Sequence, residues 1–306
     1  MQAGCREFDS PRLHALRTEA PAVALGLRRT LALATAAHRR RRLDHRLHAQ
    51  HRDRHGFRLG DRPGDGRSPG SGPDGRGDTW YTDEAGAQRT ADEGRSHGRG
   101  AEIARLDATD LAAAAAALAD RLGGVDVFVS NSGTGSSTPF AVTQLSEWRE
   151  VVATDLDGAF VCLQAAARRM VAARRDGRLI AVTSVHKRQP RVGSSAYDAA
   201  KHGLGGLMKT IALEFGEHGI IANSVAPGEI ATPMTGQEDE DPRAEHRPGV
   251  PLGRPGDARE VAAVIAFLAS AEADYVTGAS WVVDGGMLQM GPQAGSHITS
   301  EEWRRG

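Results

Sequence analysis

Short apolar runs alternate with longer Ala-rich or amphipathic stretches along the chain from about residue 79 onward. The short runs predict strands at 101–106, 125–129, 178–184, 220–226 and 279–284. The longer stretches predict helices at 111–122, 144–173, 197–215 and 259–270, with 144–173 forming one long or two abutting helices. Elements that alternate at these lengths indicate an α/β fold whose parallel sheet is covered on both faces. In such sheets ligands bind beyond the carboxyl ends of the strands.

The front of the chain lacks this pattern. Residues 38–78 are dominated by Arg, His, Gly, Asp and Pro, so they cannot bury enough apolar surface to offset chain entropy. Residues 1–77 contain 16 Arg, no Lys and eight acidic residues, a formal charge of +8, which leaves −9 for the rest of a chain of net charge −1. We therefore predict a disordered basic extension over 1–77, a folded domain over 78–293 and a tail over 294–306.

The basic extension admits a nucleic-acid-binding interpretation, because clustered Arg side chains neutralise phosphates. Interleaved acidic residues and the lack of stacking aromatic residues favour a passive, solvated tail instead. A GxGxxG pattern at Gly70, Gly72 and Gly75 contains Pro73 and follows no predicted strand. It therefore lacks the context of a phosphate-binding loop.

Composition narrows the class of protein further. A chain of 306 residues that is 40% hydrophobic and 25% charged suits one large α/β domain or two small ones. Its two cysteines, Cys5 and Cys162, exclude a disulfide framework and a Cys-based zinc site, and no metal site is predicted. The sequence contains no run of about 18 apolar residues, so it predicts no transmembrane helix. We expect a cytoplasmic protein, with an Arg-rich transit peptide as the alternative.

Three residues form the main chemical signal of the sequence. Ser184 lies at a predicted strand end, and Tyr197 and Lys201 follow on the next predicted helix. The i, i+4 spacing places Tyr197 and Lys201 on one helix face. An ammonium group near a phenol favours the phenolate, which makes Tyr197 a candidate general acid/base, while Ser184 could hydrogen-bond a substrate oxygen. The alternative is that all three residues are structural.

These residues resemble the catalytic triplet of the short-chain dehydrogenase/reductase (SDR) family. Further stretches resemble SDR motifs in the same order: Ser130-Asn131-Ser132-Gly133, Pro227-Gly228 with Ile230 and Thr232, and Asp284-Gly285-Gly286. The resemblance spans roughly residues 79–293. The stretches TSVH from Thr183 and VTGASWVVDGGM from Val276 resemble glucose-dehydrogenase-like and uncharacterised bacterial SDR oxidoreductases.

The resemblance implies a Rossmann-like, doubly wound parallel sheet and NAD(P)(H)-dependent interconversion of a carbonyl and a secondary alcohol. Tyr197 would exchange the proton, Ser184 would orient the oxygen, and Lys201 would also bind the nicotinamide ribose. The implied cofactor-binding residues are Asp107, Asn131, Gly133, Tyr197, Lys201, Pro227, Gly228, Ile230 and Thr232. The substrate would be a small molecule, and the family generally forms dimers or tetramers through its long helices.

Two features depart from the family pattern. Asp155 stands where the family has a catalytic Asn that helps hold a water in the proton relay, so we include Asp155 among the catalytic candidates, with a purely structural role as the alternative. The first strand and its TGxxxGxG loop are expected to be disrupted or absent, which would weaken cofactor binding. An impaired SDR relative that binds no dinucleotide is therefore a competing interpretation, as is a non-enzymatic protein that binds through its basic extension.

The genetic code suggests an origin for the missing motif. Reading one base later through the codons for residues 51–70 permits an apolar strand, a Gly-rich turn and a helix start. We hypothesise that residues 1–77 are translated out of frame and that the native frame returns near Thr79.

The sequence says less about cofactor preference and substrate than about the type of reaction. NAD-preferring relatives place an acidic residue at the end of the second strand, where this chain has Tyr81 and Thr82, which slightly favours NADP(H) over NAD(H). Residues 234–249 correspond to the family's substrate loop. By position, His186, Glu229 and Met234 would face the pocket, whereas we expect His202, Trp281 and Cys162 to be packing residues.

Overall fold

The structure is a computed structural model that describes residues 30–33, 75–80, 88, 91–92, 100–105, 117, 119–121, 123–237 and 241–291. The predicted C-terminal tail lies outside this range. So do Asp107, Tyr81 and Thr82, most of the 1–77 segment, and residues 238–240 of the predicted substrate loop.

The described residues form one seven-stranded sheet in which every neighbouring pair of strands is parallel. The strands are β1 Thr30–Leu33, β2 Gly75–Trp80, β3 Gly100–Arg105, β4 Val127–Ser130, β5 Gly177–Val182, β6 Ile220–Pro227 and β7 Ser280–Val283. Their order across the sheet is β3-β2-β1-β4-β5-β6-β7. The order reverses between β1 and β4, as in a doubly wound sheet, and this confirms the predicted Rossmann-like fold.

The centre of the sheet differs from the sequence expectation of a disrupted or absent first strand. The run TLAL at Thr30–Leu33 pairs with β2 on one side and β4 on the other. A run of four residues with a β-branched Thr and two Leu suits a short central strand. Because Arg28 and Arg29 directly precede this run, the sequence pattern assigns it to the basic segment. The first three residues of β2 also belong to the 1–77 segment. Residues 34–74, where a phosphate loop would follow β1, lie outside the described range.

Four α-helices have both of their ends within the described residues. They are α1 Leu145–Val152, α2 Gly158–Ala172, α3 Ser195–Phe215 and α4 Ala258–Leu268. A π-helical turn at Ala153–Asp157 joins α1 to α2, so the predicted stretch 144–173 consists of two abutting helices. Residues 117 and 119–121, within the predicted helix 111–122, are also helical.

Both faces of the sheet are buried. On one face, Phe128 and Leu179 pack with Leu163 of α2 and Met208 of α3. On the other face, a second cluster of buried apolar side chains joins the neighbouring strand residues to α4. It includes Val127, Val129, Ile180, Val225 and Ile265. Because successive strand residues alternate between the two clusters, the helices cover the sheet on both sides as predicted. None of the described helices is long and apolar enough to cross a membrane.

Candidate active site

The carboxyl ends of β4, β5 and β6 bring the predicted site residues to one edge of the sheet. Ser184 follows β5 by two residues, has extended backbone geometry and begins a 3₁₀ turn at Val185–Lys187. Its side chain is 6% exposed, and its Oγ accepts a hydrogen bond from the His186 backbone N–H at 3.1 Å. This bond fixes the oxygen while leaving the hydroxyl hydrogen available to an acceptor, so Ser184 can donate to a substrate oxygen.

The first turns of α3 hold Tyr197 and Lys201 on the same side of the helix. The Lys201 Nζ lies 5.5 Å from the centroid of the Tyr197 ring. Tyr197 is partly exposed, whereas Lys201 is only 3% exposed. The His186 ring meets the Tyr197 ring edge-on, with 6.2 Å between centroids. The Tyr197 ring is thus partly open to solvent, with a buried cation beside it.

Lys201 is held by oxygens from three parts of the chain. Its Nζ donates to the Val182 carbonyl at 3.3 Å and to the Ser132 carbonyl at 3.5 Å. It lies 3.2 Å from Oδ2 of Asp155, a residue that is fully buried in the π-helical turn. The other Asp155 oxygen, Oδ1, accepts a hydrogen bond from the Thr134 backbone N–H at 2.7 Å. The structure therefore brings together the triplet's lysine and the residue that replaces the family's Asn.

The ion pair governs the protonation of both partners. Burial works against the Lys201 ammonium, but the Asp155 carboxylate and Tyr197 outweigh it and raise the pKa of Lys201 above its ordinary value. Burial raises the pKa of Asp155, and the charge of Lys201 and the Thr134 N–H offset only part of that rise. Because Lys201 has a carboxylate within contact distance, it stays protonated at neutral pH.

The residues after β4 offer a polar edge with little side-chain bulk. The hydroxyls of Ser130 and Ser132 are buried and have no hydrogen-bond partner in the described structure. A Cβ on Gly133 would lie 3.1 Å from both the Lys201 Nζ and the Asp155 Oδ2. Asn131 is half-buried between them. Unpaired polar atoms beside a backbone without side chains fit a bound ligand that supplies hydrogen bonds and approaches closely.

The residues after β6 form the other wall of this edge. Pro227 ends β6, and a Cβ on Gly228 would lie 2.8 Å from the Cβ of Asp284. Ile230 is 7% exposed, and the Thr232 hydroxyl donates to the Ile230 carbonyl at 3.4 Å. The implied cofactor-binding residues within the described range thus lie at the ends of β4 and β6, together with Lys201. They fit the nicotinamide end of a dinucleotide, whereas Asp107 lies outside the described range.

Glu229, expected at the pocket, pairs with two residues of the predicted substrate loop that the sequence pattern does not single out. Its Oε1 accepts hydrogen bonds from the Arg247 Nε and the Gln237 Nε2, both at 2.7 Å. Arg247 also contacts Glu245 at 3.3 Å. The opposite charges of Glu229 and Arg247 are visible in the sequence, but an irregular loop gives no periodicity that would pair them. We call Glu229, Gln237 and Arg247 the loop latch.

Of the three residues expected to pack, Cys162 and Trp281 do so and His202 does not. Cys162 is fully buried in the core as predicted, and burial raises the pKa of its thiol to about 12. Trp281 packs on Phe267 with 5.4 Å between ring centroids. The prediction for His202 is wrong, because its side chain is exposed and its Nδ1 lies 2.8 Å from the Asp198 carbonyl of its own helix. Met234, expected at the pocket, is 51% exposed.

Comparison with known proteins identifies the family. The sequence profile of a family described as enoyl-(acyl carrier protein) reductase matches residues 79–288. The chain belongs to the short-chain dehydrogenase/reductase family. The SDR region therefore begins inside β2 and includes the whole candidate site, so the family that the motifs indicate is confirmed.

Individual SDR relatives agree with this assignment. The chain is 48% identical over 220 residues to the uncharacterised oxidoreductase YohF of Escherichia coli (strain K12), a match that covers 71% of this chain and 87% of the relative. A crystal structure of acetoin dehydrogenase YohF from Salmonella typhimurium is 45% identical, with a TM-score of 0.66 over 71% of this chain and 88% of that one. A gluconate 5-dehydrogenase from Burkholderia cenocepacia J2315, in complex with NADP and tartrate, is 29% identical, with a TM-score of 0.64 over 71% and 86% of the two chains. These relatives support an enzyme that acts on CH–OH and C=O groups with NAD(P).

Proposed function

We propose that this SDR protein interconverts a small carbonyl compound and its secondary alcohol, with Tyr197 as the general acid/base. The observation that carries the proposal is the position of the partly exposed Tyr197 ring, 5.5 Å from a buried ammonium that a carboxylate keeps protonated. A fixed positive charge beside a phenol stabilises the phenolate that remains after proton transfer to the substrate.

In the direction of reduction, Tyr197 donates its phenolic proton to the substrate oxygen and is left as a phenolate beside Lys201. Ser184 donates a hydrogen bond to the same oxygen as its charge develops. In the direction of oxidation, the phenolate takes the proton from the alcohol. Each step moves one proton between Tyr197 and the substrate, and the charge of Lys201 does not change.

The residues at the ends of β4 and β6 would hold the dinucleotide. Asn131, Gly133, Pro227, Gly228, Ile230, Thr232 and Lys201 would bind its nicotinamide end, and Asp107 would bind near the adenine. When bound, this cofactor supplies or accepts the hydride. NADP(H) is the preferred form in the proposal because Tyr81 and Thr82 replace the acidic residue that binds the ribose 2′-hydroxyl. One SDR structure similar to this chain contains NADP.

For the substrate we propose a small α-hydroxy ketone of the acetoin type. Support comes from the structure of a protein named acetoin dehydrogenase, which is 45% identical over 71% of this chain. The proposal includes a homo-oligomer, because Leu213 on α3 is 86% exposed and Phe160 on α2 is 44% exposed. Apolar side chains on the outer faces of long helices favour burial against a second copy.

The test is a dinucleotide absorbance assay with the full chain, acetoin, and NADP⁺ or NADPH. Tyr197→Phe removes the transferable proton and is expected to lower kcat/KM by about 10²–10⁴-fold, the usual contribution of a positioned acid/base. Tyr275→Phe is the matched control, because Tyr275 is fully exposed outside the site. Wild-type turnover in Tyr197→Phe would overturn the assignment of Tyr197.

One observation favours a second candidate, an SDR relative that binds no dinucleotide. No TGxxxGxG motif is present in the sequence between β1 and β2. Titrating the chain with NADPH while following its tryptophan fluorescence separates the two candidates. Saturable quenching supports the enzyme, and a flat response supports the impaired relative.

A further inference from the structure

The structure builds a specific place for the Asp155 carboxylate. The π-helical turn Ala153–Asp157 interrupts the regular helix between α1 and α2, and such turns recur at functional sites. The Thr134 N–H binds one carboxylate oxygen at 2.7 Å, and Lys201 lies 3.2 Å from the other. Gly133 leaves the space that both groups occupy. This arrangement gives the Asp155 side chain a partner at each oxygen, an N–H donor at one and a cation at the other.

A carboxylate and an amide differ at this position by one full negative charge. An amide of the same shape would leave the Lys201 ammonium as an isolated buried cation beside Tyr197. With Asp155, the positive charge that stabilises the Tyr197 phenolate is partly cancelled by a negative charge 3.2 Å behind it.

We infer that Asp155 is a positioning residue that partly neutralises Lys201 and thereby sets the pH range in which Tyr197 exchanges its proton. With an amide at position 155, this range would lie at lower pH. The inference rests on the proposed function in one respect only, namely that Tyr197 is the group whose protonation matters. It goes beyond that function because it assigns this site an electrostatic device and a pH dependence.

The other titratable groups on the elements around Tyr197 have polar partners of their own. The loop after β4, residues 131–143, contains no ionisable side chain. On the 3₁₀ turn, the His186 Nδ1 lies 3.0 Å from the Gln189 carbonyl, and the Lys187 Nζ donates to Ser224. On α3, the Asp198 Oδ2 accepts from the Arg191 N–H, and beyond β6 Glu229 is paired with Arg247.

The sign of the effect follows from one principle. Removing a negative charge lowers the pKa of every neighbouring group that it had helped to keep protonated. In Asp155→Asn, the Tyr197 phenolate should therefore be more strongly stabilised, and the pKa of Lys201 should fall. Alcohol oxidation needs the Tyr197 phenolate, which forms on the acid limb of the pH profile, and the Lys201 ammonium, which is lost on the alkaline limb. Both limbs should therefore move to lower pH in Asp155→Asn. For one charge in a site of moderate polarity, the expected shift is about one pH unit.

The experiment compares pH profiles of kcat/KM for the wild type, Asp155→Asn and Asp157→Asn. Asp157→Asn makes the same charge change two residues away, at an exposed side chain. We expect both limbs to shift in Asp155→Asn and neither to shift in Asp157→Asn. Asp155→Glu restores the charge and should restore the limbs even if the height of the profile falls. Limbs that stay in place in Asp155→Asn, with only a lower plateau, would overturn the inference and leave Asp155 a structural role.

A second readout needs no turnover. The chain has three tyrosines, so the tyrosinate absorbance of Tyr197 can be isolated by subtracting the spectrum of Tyr197→Phe. Asp155→Asn should lower the midpoint of this difference titration. If the chain shows no dinucleotide-dependent turnover but the midpoint falls, the proposed function fails and the inference stands. If turnover is present and the midpoint is unchanged, the inference fails alone. Should Asp155→Asn not fold, Asp155→Ser removes the same charge in a smaller side chain and is read in the same way.

Discussion

Lys187 is a lysine whose burial should make the stability of this protein depend on pH. It lies on the 3₁₀ turn after Ser184, and its Nζ donates to the buried Ser224 hydroxyl at 3.2 Å. A Cβ on Gly205 would lie 3.1 Å from its Cδ, so the stem of the side chain packs against α3. Burial, together with the positive charges of Arg188 and Lys209, lowers the pKa of Lys187 to about 8 from 10.5.

The magnitude follows from proton linkage. Between about pH 8 and 10.5 the unfolded chain binds more protons at Lys187 than the folded chain, so the Lys187 contribution to stability rises with pH through this window. Below about pH 8 the penalty is fully present. At about 1.4 kcal/mol per pKa unit, the full shift corresponds to an upper limit of about 3 kcal/mol. Because Lys187 is only partly buried, solvent screening reduces the expected effect to about 1–2 kcal/mol.

The assay is urea unfolding of the wild type and Lys187→Met at about pH 7 and about pH 10. The difference in unfolding free energy between the two proteins should change by about 1–2 kcal/mol in favour of the wild type at the higher pH. Comparing two pH values cancels the constant effects of losing the hydrogen bond to Ser224. Arg168→Met is the control, because Arg168 is exposed on α2 and stays charged at both pH values. A difference that stays constant with pH would refute the reasoning.

Two further substitutions test the geometry around the site. Gly133→Ala places a Cβ 3.1 Å from the Lys201 Nζ and the Asp155 Oδ2, so we expect kcat/KM to fall by about tenfold or more as the ion pair is displaced. Gly135→Ala, with no atom within 4 Å of the added Cβ, should be near wild type, and equal losses in both would contradict this account. Glu229→Gln weakens the loop latch by removing the charge that pairs with Arg247. It should raise KM by about three- to tenfold with kcat little changed, more than Glu245→Gln does, and initial-rate kinetics on both variants decide between them.

The sequence predicts the second half of the sheet well because each strand there contains a short, largely apolar run. The run predicted at 220–226 becomes β6 at Ile220–Pro227, and the helix predicted at 259–270 becomes α4 at Ala258–Leu268. The Asp257 and Glu260 capping box fixes the start of that helix. Strands buried on both faces carry a signal that local periodicity detects.

The first strand escapes the same reasoning. Its signal is four residues long and directly follows two arginines, so a local window assigns it to the basic segment. Its place between β2 and β4 depends on pairing with strands far along the chain. Local periodicity contains no information about which distant residues pair. For the same reason, it does not predict the contacts of the loop latch.

The candidate site shows a similar division between what the sequence contains and what only the fold creates. The four-residue spacing of Tyr197 and Lys201 is enough to place them on one helix face. The approach of Asp155 to Lys201 depends on the π-helical turn, which no residue pattern in the sequence reveals. A family resemblance aligns Asp155 with an amide, and only the distance of 3.2 Å shows that the replacement creates a buried ion pair.

Two lysines of this site show that the partner, rather than burial, decides the charge. Lys201 is the more deeply buried, yet its pKa is raised, because the Asp155 carboxylate faces it. Lys187 is only half-buried, yet its pKa falls to about 8, because burial disfavours its charge and the neighbouring Arg188 and Lys209 are positive as well. Burial alone would rank the two in the opposite order. Asp155→Asn should therefore change Lys201 into a lysine of the second kind, with a pKa below its ordinary value. The alkaline limb of the pH profile would then fall at lower pH, whereas an alkaline limb unchanged by Asp155→Asn would show that the Val182 and Ser132 carbonyls suffice to keep Lys201 charged.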